Sequence, residues 1–265
     1  RGKKNGITFN LGRDNSEIFI TNRGNIPSVL INGRIHADVY QMVFFLARIG
    51  ALKSNTYTLY DIYSEIFGKD KRMVTKSEIW KMWDSEDGRG YLIDYCMEDS
   101  IATYKLGERF LPIFIELSKI VNLSLKDILV STTGQMVESY IIDEAIKRNF
   151  VIPTRPTGSE LYARDSSPIE GAYVKVPGPG VYDNIAVFDF RSLYPSIIVA
   201  HNISPDTINC SCCSNEESYV SPEGHKFCKK KKGLIPEILR KILIHRKNLK
   251  KQLKSLDKNS EEYVY

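Results

Sequence analysis

An apolar run, Ile185 to Phe188, ends on a single carboxylate, Asp189, and Arg191, Ser192, Tyr194 and Pro195 follow at once. An acid at the end of a buried strand is held rigidly. Mg²⁺ needs that rigidity, because it demands near-ideal octahedral oxygen geometry. Where the chain turns into a helix after Asp189, Ser192 and the backbone amides around Leu193 and Tyr194 can meet phosphate oxygens. Tyr194, packed beneath a bound sugar, then presents a flat wall. A lone strand-end Asp is more often a cap or turn residue, so its neighbours carry the functional reading.

Two further pairs share a helical spacing. Tyr95 and Asp99 stand four apart in YCMED, and Arg246 and Lys250 four apart in a basic segment. On a helix each pair projects from one face. Arg offers a planar fork and Lys a mobile point charge, a suitable combination for a polyphosphate. Both pairs also fit ordinary helix surfaces. The cysteines cluster: Cys210, Cys212, Cys213 and Cys228 fall within nineteen residues, and Cys96 stands apart. Cys210-x₂-Cys213 followed by His225-x₂-Cys228 has the spacing of a small zinc knuckle. A local disulfide fits the same clustering, with Cys212 complicating either choice.

A mixture of strands and helices must position these groups. ITFNLG, EIFITN and SVLINGRIHADVY near the start, and YVKVP and IAVFD later, read as strands between glycine, asparagine and proline turns. Helical periodicity covers Val39 to Gly50, Leu59 to Phe67, Glu78 to Met82, Leu92 to Leu117 and Leu125 to Lys147. A last helix starts at Leu234, with Pro236 in its first turn, where a missing N–H costs nothing. Val151 to Glu160 holds two prolines and a glycine and is the expected domain boundary. Asp38, after GRIHA, matches no chemical pattern and is read as structural.

With 265 residues, 42% hydrophobic and 26% charged, the sequence sits close to the globular average, so a packed core is feasible and disorder is not the default. A formal charge of +5 is compatible with a polyanionic partner without requiring one. The run Lys229 to Lys232 reads as a solvated charged face. No apolar stretch approaches the ~18 residues of a membrane span, and no basic-then-apolar leader opens the sequence. A cytoplasmic protein without membrane contact is expected. Lys254 to Tyr265 stops inside a charged helical pattern, so the sequence reads as an internal piece of a longer chain.

DFRSLYPSII, Asp189 to Ile198, resembles the first palm motif of family B DNA polymerases, and NISPDT and GHKFC resemble its archaeal branch. The resemblance extends over essentially the whole sequence. It implies that Asp189 coordinates catalytic metals, with the Phe190 carbonyl as a further oxygen ligand. Ser192, Leu193 and Tyr194 would touch the triphosphate, and Tyr194 would exclude ribonucleotides. The implied reaction is nucleotidyl transfer with two Mg²⁺ ions, one activating a primer hydroxyl and one neutralising the leaving pyrophosphate. One carboxylate cannot hold both ions. The family's partner acids belong to a later motif of the type YGDTD, which is absent here.

IPEILRKILIHRKNLKK is similar to the opening of the family's fingers, which implies that Arg246 and Lys250 grip the incoming triphosphate. YCMEDSIATYKLG resembles the third motif of the 3′–5′ proofreading exonuclease. Tyr95 would then orient the attacking water or the scissile phosphate, and Asp99 would bind a metal. IEGAY, Ile169 to Tyr173, resembles the linker motif between exonuclease and palm, with Gly171, Ala172 and Tyr173 approaching DNA and Ile169 where a tyrosine is usual. In heat-adapted relatives a pair placed like Cys213 and Cys228 is bridged, and GHKFC occurs without metal. A disulfide or free thiols are therefore favoured over zinc at Cys210, Cys213, His225 and Cys228.

The fold class implied is α+β. A truncated RNase H-like exonuclease domain (1–110) is followed by a connecting helical segment (111–153). The first part of a palm with an antiparallel sheet (154–235) and the start of a fingers helix (236–265) complete the division. Primer-template DNA and deoxynucleoside triphosphates are the implied partners, with a sliding clamp reached through regions outside this stretch. The alternative is a subunit of a split polymerase, or an inactive relative that binds DNA.

Overall fold

The computed structural model describes residues 2–23, 26–166, 171, 173–190 and 192–257. Chain order is β1 (Phe19–Arg23), β2 (Ile26–Leu30), α1 (Val39–Arg48), α2 (Leu59–Phe67), α3 (Lys76–Trp83), α4 (Glu86–Val121), α5 (Leu125–Ile128) and α6 (Thr133–Ile146). There follow α7 (Gly158–Asp165), α8 (Leu193–Ala200), β3 (Ser218–Val220), β4 (Lys226–Cys228) and α9 (Leu234–Ser255). The class is thus mixed, helices with two small antiparallel sheets, β1–β2 and β3–β4. Packing separates two units, Arg1–Tyr140 and Ile141–Tyr265. The split falls within α6, whereas the proline-containing compositional break begins at Val151.

In the first unit the core forms along α4. Ala102, Leu106, Phe110 and Phe114 recur every fourth residue, which places them on one helix face, and all four are buried. They meet Met42, Val43 and Leu46 of α1, Ile62 and Tyr63 of α2, and Ile128 of α5. Phe114 is fully buried and its ring lies 5.3 Å from that of Phe45. The helix starts are set locally. Asp38 accepts from the Tyr40 N–H at 2.9 Å as the α1 cap, so its structural reading holds. Thr75 with Glu78 forms a capping box at α3, and Ser85 caps α4. α4 ends where Asn122 enters the left-handed region at φ 54°.

Three expectations need correction. Leu125 to Lys147 is two helices, because Thr132 and Gln135 exchange hydrogen bonds (Thr132 N–H to Oε1 at 2.9 Å, Gln135 N–H to Oγ1 at 3.3 Å) and restart the chain as α6. ITFNLG is not a strand; Gly12 and Asn15 close a tight turn there, and Ile18 N–H reaches back to the Phe9 carbonyl at 3.1 Å. YVKVP and IAVFD are not strands either. Val187 and Phe188 are 88% and 91% exposed, so the buried strand expected before Asp189 does not form among the described residues. A strand without a neighbour leaves its ladder unpaired and both faces wet, so apolar β-formers alone do not make one.

In the second unit, α8 packs against α9, and the segment NISPDT brackets the start of α9. Asn202 donates to the carbonyls of Cys228 at 2.5 Å and Lys231 at 2.8 Å, and accepts from the Gly233 N–H at 2.9 Å. Asp206 accepts from the Leu234 N–H at 3.1 Å, and the Ser204 hydroxyl accepts from the Ile235 N–H at 3.3 Å. Thr207, fully buried, takes the Cys228 N–H on its carbonyl at 3.0 Å. Gly233, the residue before α9, has no room for a side chain: an added Cβ would meet the Ser204 Cβ at 2.7 Å.

Candidate functional site

Tyr95 and Asp99 share a face of α4, as their spacing requires. Lys71, from the segment ahead of α3, reaches them: its Nζ lies 2.5 Å from Asp99 Oδ1 and 5.1 Å from the centre of the Tyr95 ring. The Lys71 side chain is 7% exposed and that of Asp99 30%. Arg72 continues the clamp one turn down, bonding Asp94 at 2.7 Å and Glu98 at 3.2 Å. Burial, then the hydrogen bond to Asp99, pushes the Tyr95 phenol above its ordinary value. Tyr95 therefore remains a protonated donor at neutral pH, beside a carboxylate that holds a cation. Sequence reading missed Lys71, since nothing near it in the chain marks a lysine 28 positions away from its partner.

Asp189 and Phe190 are exposed, and Arg191 lies outside the described residues. After them the chain does turn into a helix. Ser192 sits in the left-handed region at φ 52° and opens α8 without a side-chain cap, which leaves the Leu193 and Tyr194 amides uncapped by its hydroxyl. A non-glycine residue there costs about 1–2 kcal/mol, strain of the kind that gathers at functional turns. Tyr194 is 72% exposed, a wall open to solvent. A divalent cation here would have the Asp189 carboxylate and the Phe190 carbonyl from this segment. Among the described residues, the only side chains placed as a group of three or more to share an ion are cysteines. The segment thus fits one ligand of a two-ion centre and does not build the whole.

Arg246 and Lys250 project from one exposed face of α9. Of the linker motif, Gly171 and Tyr173 are exposed, and Ala172 and Ile169 fall outside the described residues.

The cysteine cluster departs from its expected membership. The sulfurs of Cys210, Cys212, Cys213 and Cys228 all lie within 4.8 Å of one another, unbridged, and His225 is not among them. Cys228 ends β4, whereas His225 lies just before that strand and contributes no ring nitrogen to the group. The Lys231 N–H, donated to Cys228 at 3.2 Å, holds that thiol below its ordinary range. Hydrogen bonding to Cys228, then to Cys210 and Cys213, pushes Cys212 up.

The model of "DNA polymerase family B" matches residues 123–265, more than half of the sequence, so the chain belongs to that family. Proteins named DNA polymerase from Thermococcus sp. (strain 9oN-7) and Thermococcus gorgonarius are 43% and 42% identical to it, over 94% and 96% of this chain. The structure of the family B DNA polymerase from the hyperthermophilic archaeon Pyrobaculum calidifontis superposes over 99% of the chain with a TM-score of 0.72 at 27% identity. The chain spans about a third of the length of each: 31% and 32% of the two sequences and 34% of the solved chain. No helix among the described residues is long and apolar enough to cross a membrane.

Proposed function

We propose that this chain is a central part of a template-directed DNA polymerase that adds deoxynucleotides by divalent-metal nucleotidyl transfer and carries a linked 3′–5′ proofreading nuclease. The observation that carries the reading is Asp189 placed directly before the strained turn at Ser192 that opens α8, in a chain of family B. Asp189 gives a carboxylate to the two Mg²⁺ ions, and the Phe190 carbonyl gives an oxygen. Ser192 with the Leu193 and Tyr194 amides meets the triphosphate, and the Tyr194 ring rejects a 2′-hydroxyl. Arg246 and Lys250 add the positive charge that a polyphosphate needs.

In this reading residues 1–110 end an RNase H-like exonuclease domain, in which Tyr95 and Asp99 serve the hydrolytic centre and Lys71 positions Asp99. Residues 111–153 connect, 154–235 begin the palm and 236–265 begin the fingers, with Gly171, Ala172 and Tyr173 along the primer-template DNA. The test is primer extension by the full-length protein. Asp189→Ala should abolish nucleotide addition while leaving primer-template binding in place, and near-normal extension would refute the assignment. Tyr194→Ala should admit ribonucleotides, and unchanged sugar discrimination would remove the gate.

A further inference from the structure

We propose that Cys210, Cys212, Cys213 and Cys228 form a closed tetrathiolate site for a structural zinc ion, which staples the loop at 208–214 to β4 beneath the start of α9. This inference is independent of the polymerase reading.

The geometry is that of an ion's coordination shell rather than of a bridge. Zinc binds thiolates at about 2.3 Å in a tetrahedron, whose edges are then about 3.8 Å. The separations are 3.8 Å for Cys212–Cys213, 3.5 Å for Cys212–Cys228 and 3.6 Å for Cys213–Cys228, and Cys210 stands within 4.8 Å of each. A disulfide needs two sulfurs at about 2.05 Å and gives the other two no reason to converge. Here all four point at one spot from two chain segments, with Cys228 fully buried at the end of the β3–β4 hairpin.

The surroundings suit a charged thiolate cluster. Four thiolates around one Zn²⁺ carry a net charge of −2, which an apolar site would not tolerate. The run Lys229 to Lys232 follows Cys228 directly, and its main chain and side chains turn toward the cluster. Lys231 N–H donates to the Cys228 sulfur at 3.2 Å, and Lys230 Nζ donates to the Cys212 carbonyl at 3.1 Å. The N–H donated to the sulfur orients and tunes that thiolate, and the lysine on the Cys212 carbonyl holds the loop in place. Lys229 to Lys232 are exposed, as the solvated-face reading expects, and Lys230 and Lys231 also contact the cluster's segments. Four protein ligands leave no open position, so the ion's part is structural. It also bears on α9, because Asn202 ties the Cys228 carbonyl to the Gly233 N–H that precedes the helix.

The test uses the full-length protein purified under reducing conditions without chelator. Zinc is measured by plasma mass spectrometry, and Co²⁺ replacement is followed by absorption. Wild type should hold one more equivalent of zinc than Cys212→Ser or Cys213→Ser, and Co²⁺ should give the charge-transfer and d–d bands of a tetrahedral tetrathiolate. Cys212 is exposed, so its serine variant keeps the fold, verified by circular dichroism, while binding Co²⁺ weaker by more than about tenfold. His225→Ala should retain the metal. Equal zinc in wild type and Cys212→Ser overturns the site. So does a wild-type mass two hydrogens light from a bridge among these cysteines, or loss of metal in His225→Ala.

Discussion

Asp206 is the point at which the bracket under α9 is most exposed to perturbation. Its carboxylate is 6% exposed and lies 3.5 Å from Lys231 Nζ. It accepts from the Ser204 hydroxyl at 2.5 Å and from the Leu234 N–H at 3.1 Å. Hydrogen bonds to a charged acceptor contribute about 1.5–3 kcal/mol each, and a carboxylate at a helix N-terminus about 0.3–1 kcal/mol. These contributions overlap on one group, so Asp206→Ala should cost about 3 kcal/mol. Asp206→Asn keeps an acceptor and loses the charge, and should cost about 1 kcal/mol. Native-state hydrogen exchange at Leu234, Ile235, Glu237 and Ile238 reads this directly. The alanine variant should exchange roughly a hundredfold faster, at about 1.4 kcal/mol per tenfold. Burial alone would raise the pKa of Asp206. The Ser204 and Leu234 hydrogen bonds, with Lys231, outweigh it and hold the carboxyl below its ordinary value. The folded pKa therefore lies under the unfolded one of about 3.9. The stabilisation is complete above that value and is lost as pH falls through the folded pKa. Wild type and Asp206→Asn should differ at neutral pH and converge in acid. Unchanged exchange at Leu234 in the alanine variant, or a difference that widens toward acid, would refute the reasoning.

Phe114→Ala empties the centre of the first unit's core and should destabilise it by about 3–5 kcal/mol in chemical denaturation. A loss under 1 kcal/mol would mean that the α1–α4 contact collapses without cost. Lys71→Met removes the cation facing Asp99, which is partly solvated, so the loss at neutral pH should be roughly 1–3 kcal/mol, less than for a fully buried pair. Chemical denaturation of wild type and variant at neutral pH checks this, and equal stability would overturn it. Ser192→Gly should be neutral or slightly stabilising and Ser192→Val destabilising by over about 1 kcal/mol, because only glycine enters the left-handed region freely.

What could be read from the sequence was what depends on near neighbours. The helices over Val39 to Gly50 and Leu59 to Phe67 follow from apolar spacing closed by Gly50 and Gly68, both at positive φ. Capping boxes at Thr75–Glu78 and Thr157–Glu160 are sequence patterns four residues long that the backbone realises. The same logic, applied to STTGQ, would have split Leu125 to Lys147. What could not be read depends on partners far along the chain. Lys71, ahead of α3, meets Asp99 of α4 across 28 positions of chain. IAVFD has the residues of a strand, but strand formation is a property of the pair and not of the segment.

The cysteine cluster shows the same division inside a single motif. Ligand spacing of the form Cys-x₂-Cys and His-x₂-Cys presumes that each pair lies in a turn, where residues three apart converge. That holds for a knuckle. It fails for His225 and Cys228, because Phe227 and Cys228 pair with Tyr219 and Ser218 in a hairpin. The ladder begins at Lys226, so Cys228 is carried on a paired strand while His225 stays ahead of it, and the two do not close a turn on one ion. The vacated corner goes to Cys212, whose adjacency to Cys213 makes it redundant in a disulfide but useful in a tetrahedron. NISPDT follows the same rule. Its serine, aspartate and threonine read as turn-forming polar residues, yet their oxygens are spent on Leu234, Ile235 and the end of β4. The position of Arg246 and Lys250 is therefore set some forty residues upstream of them, by a loop with no cation of its own.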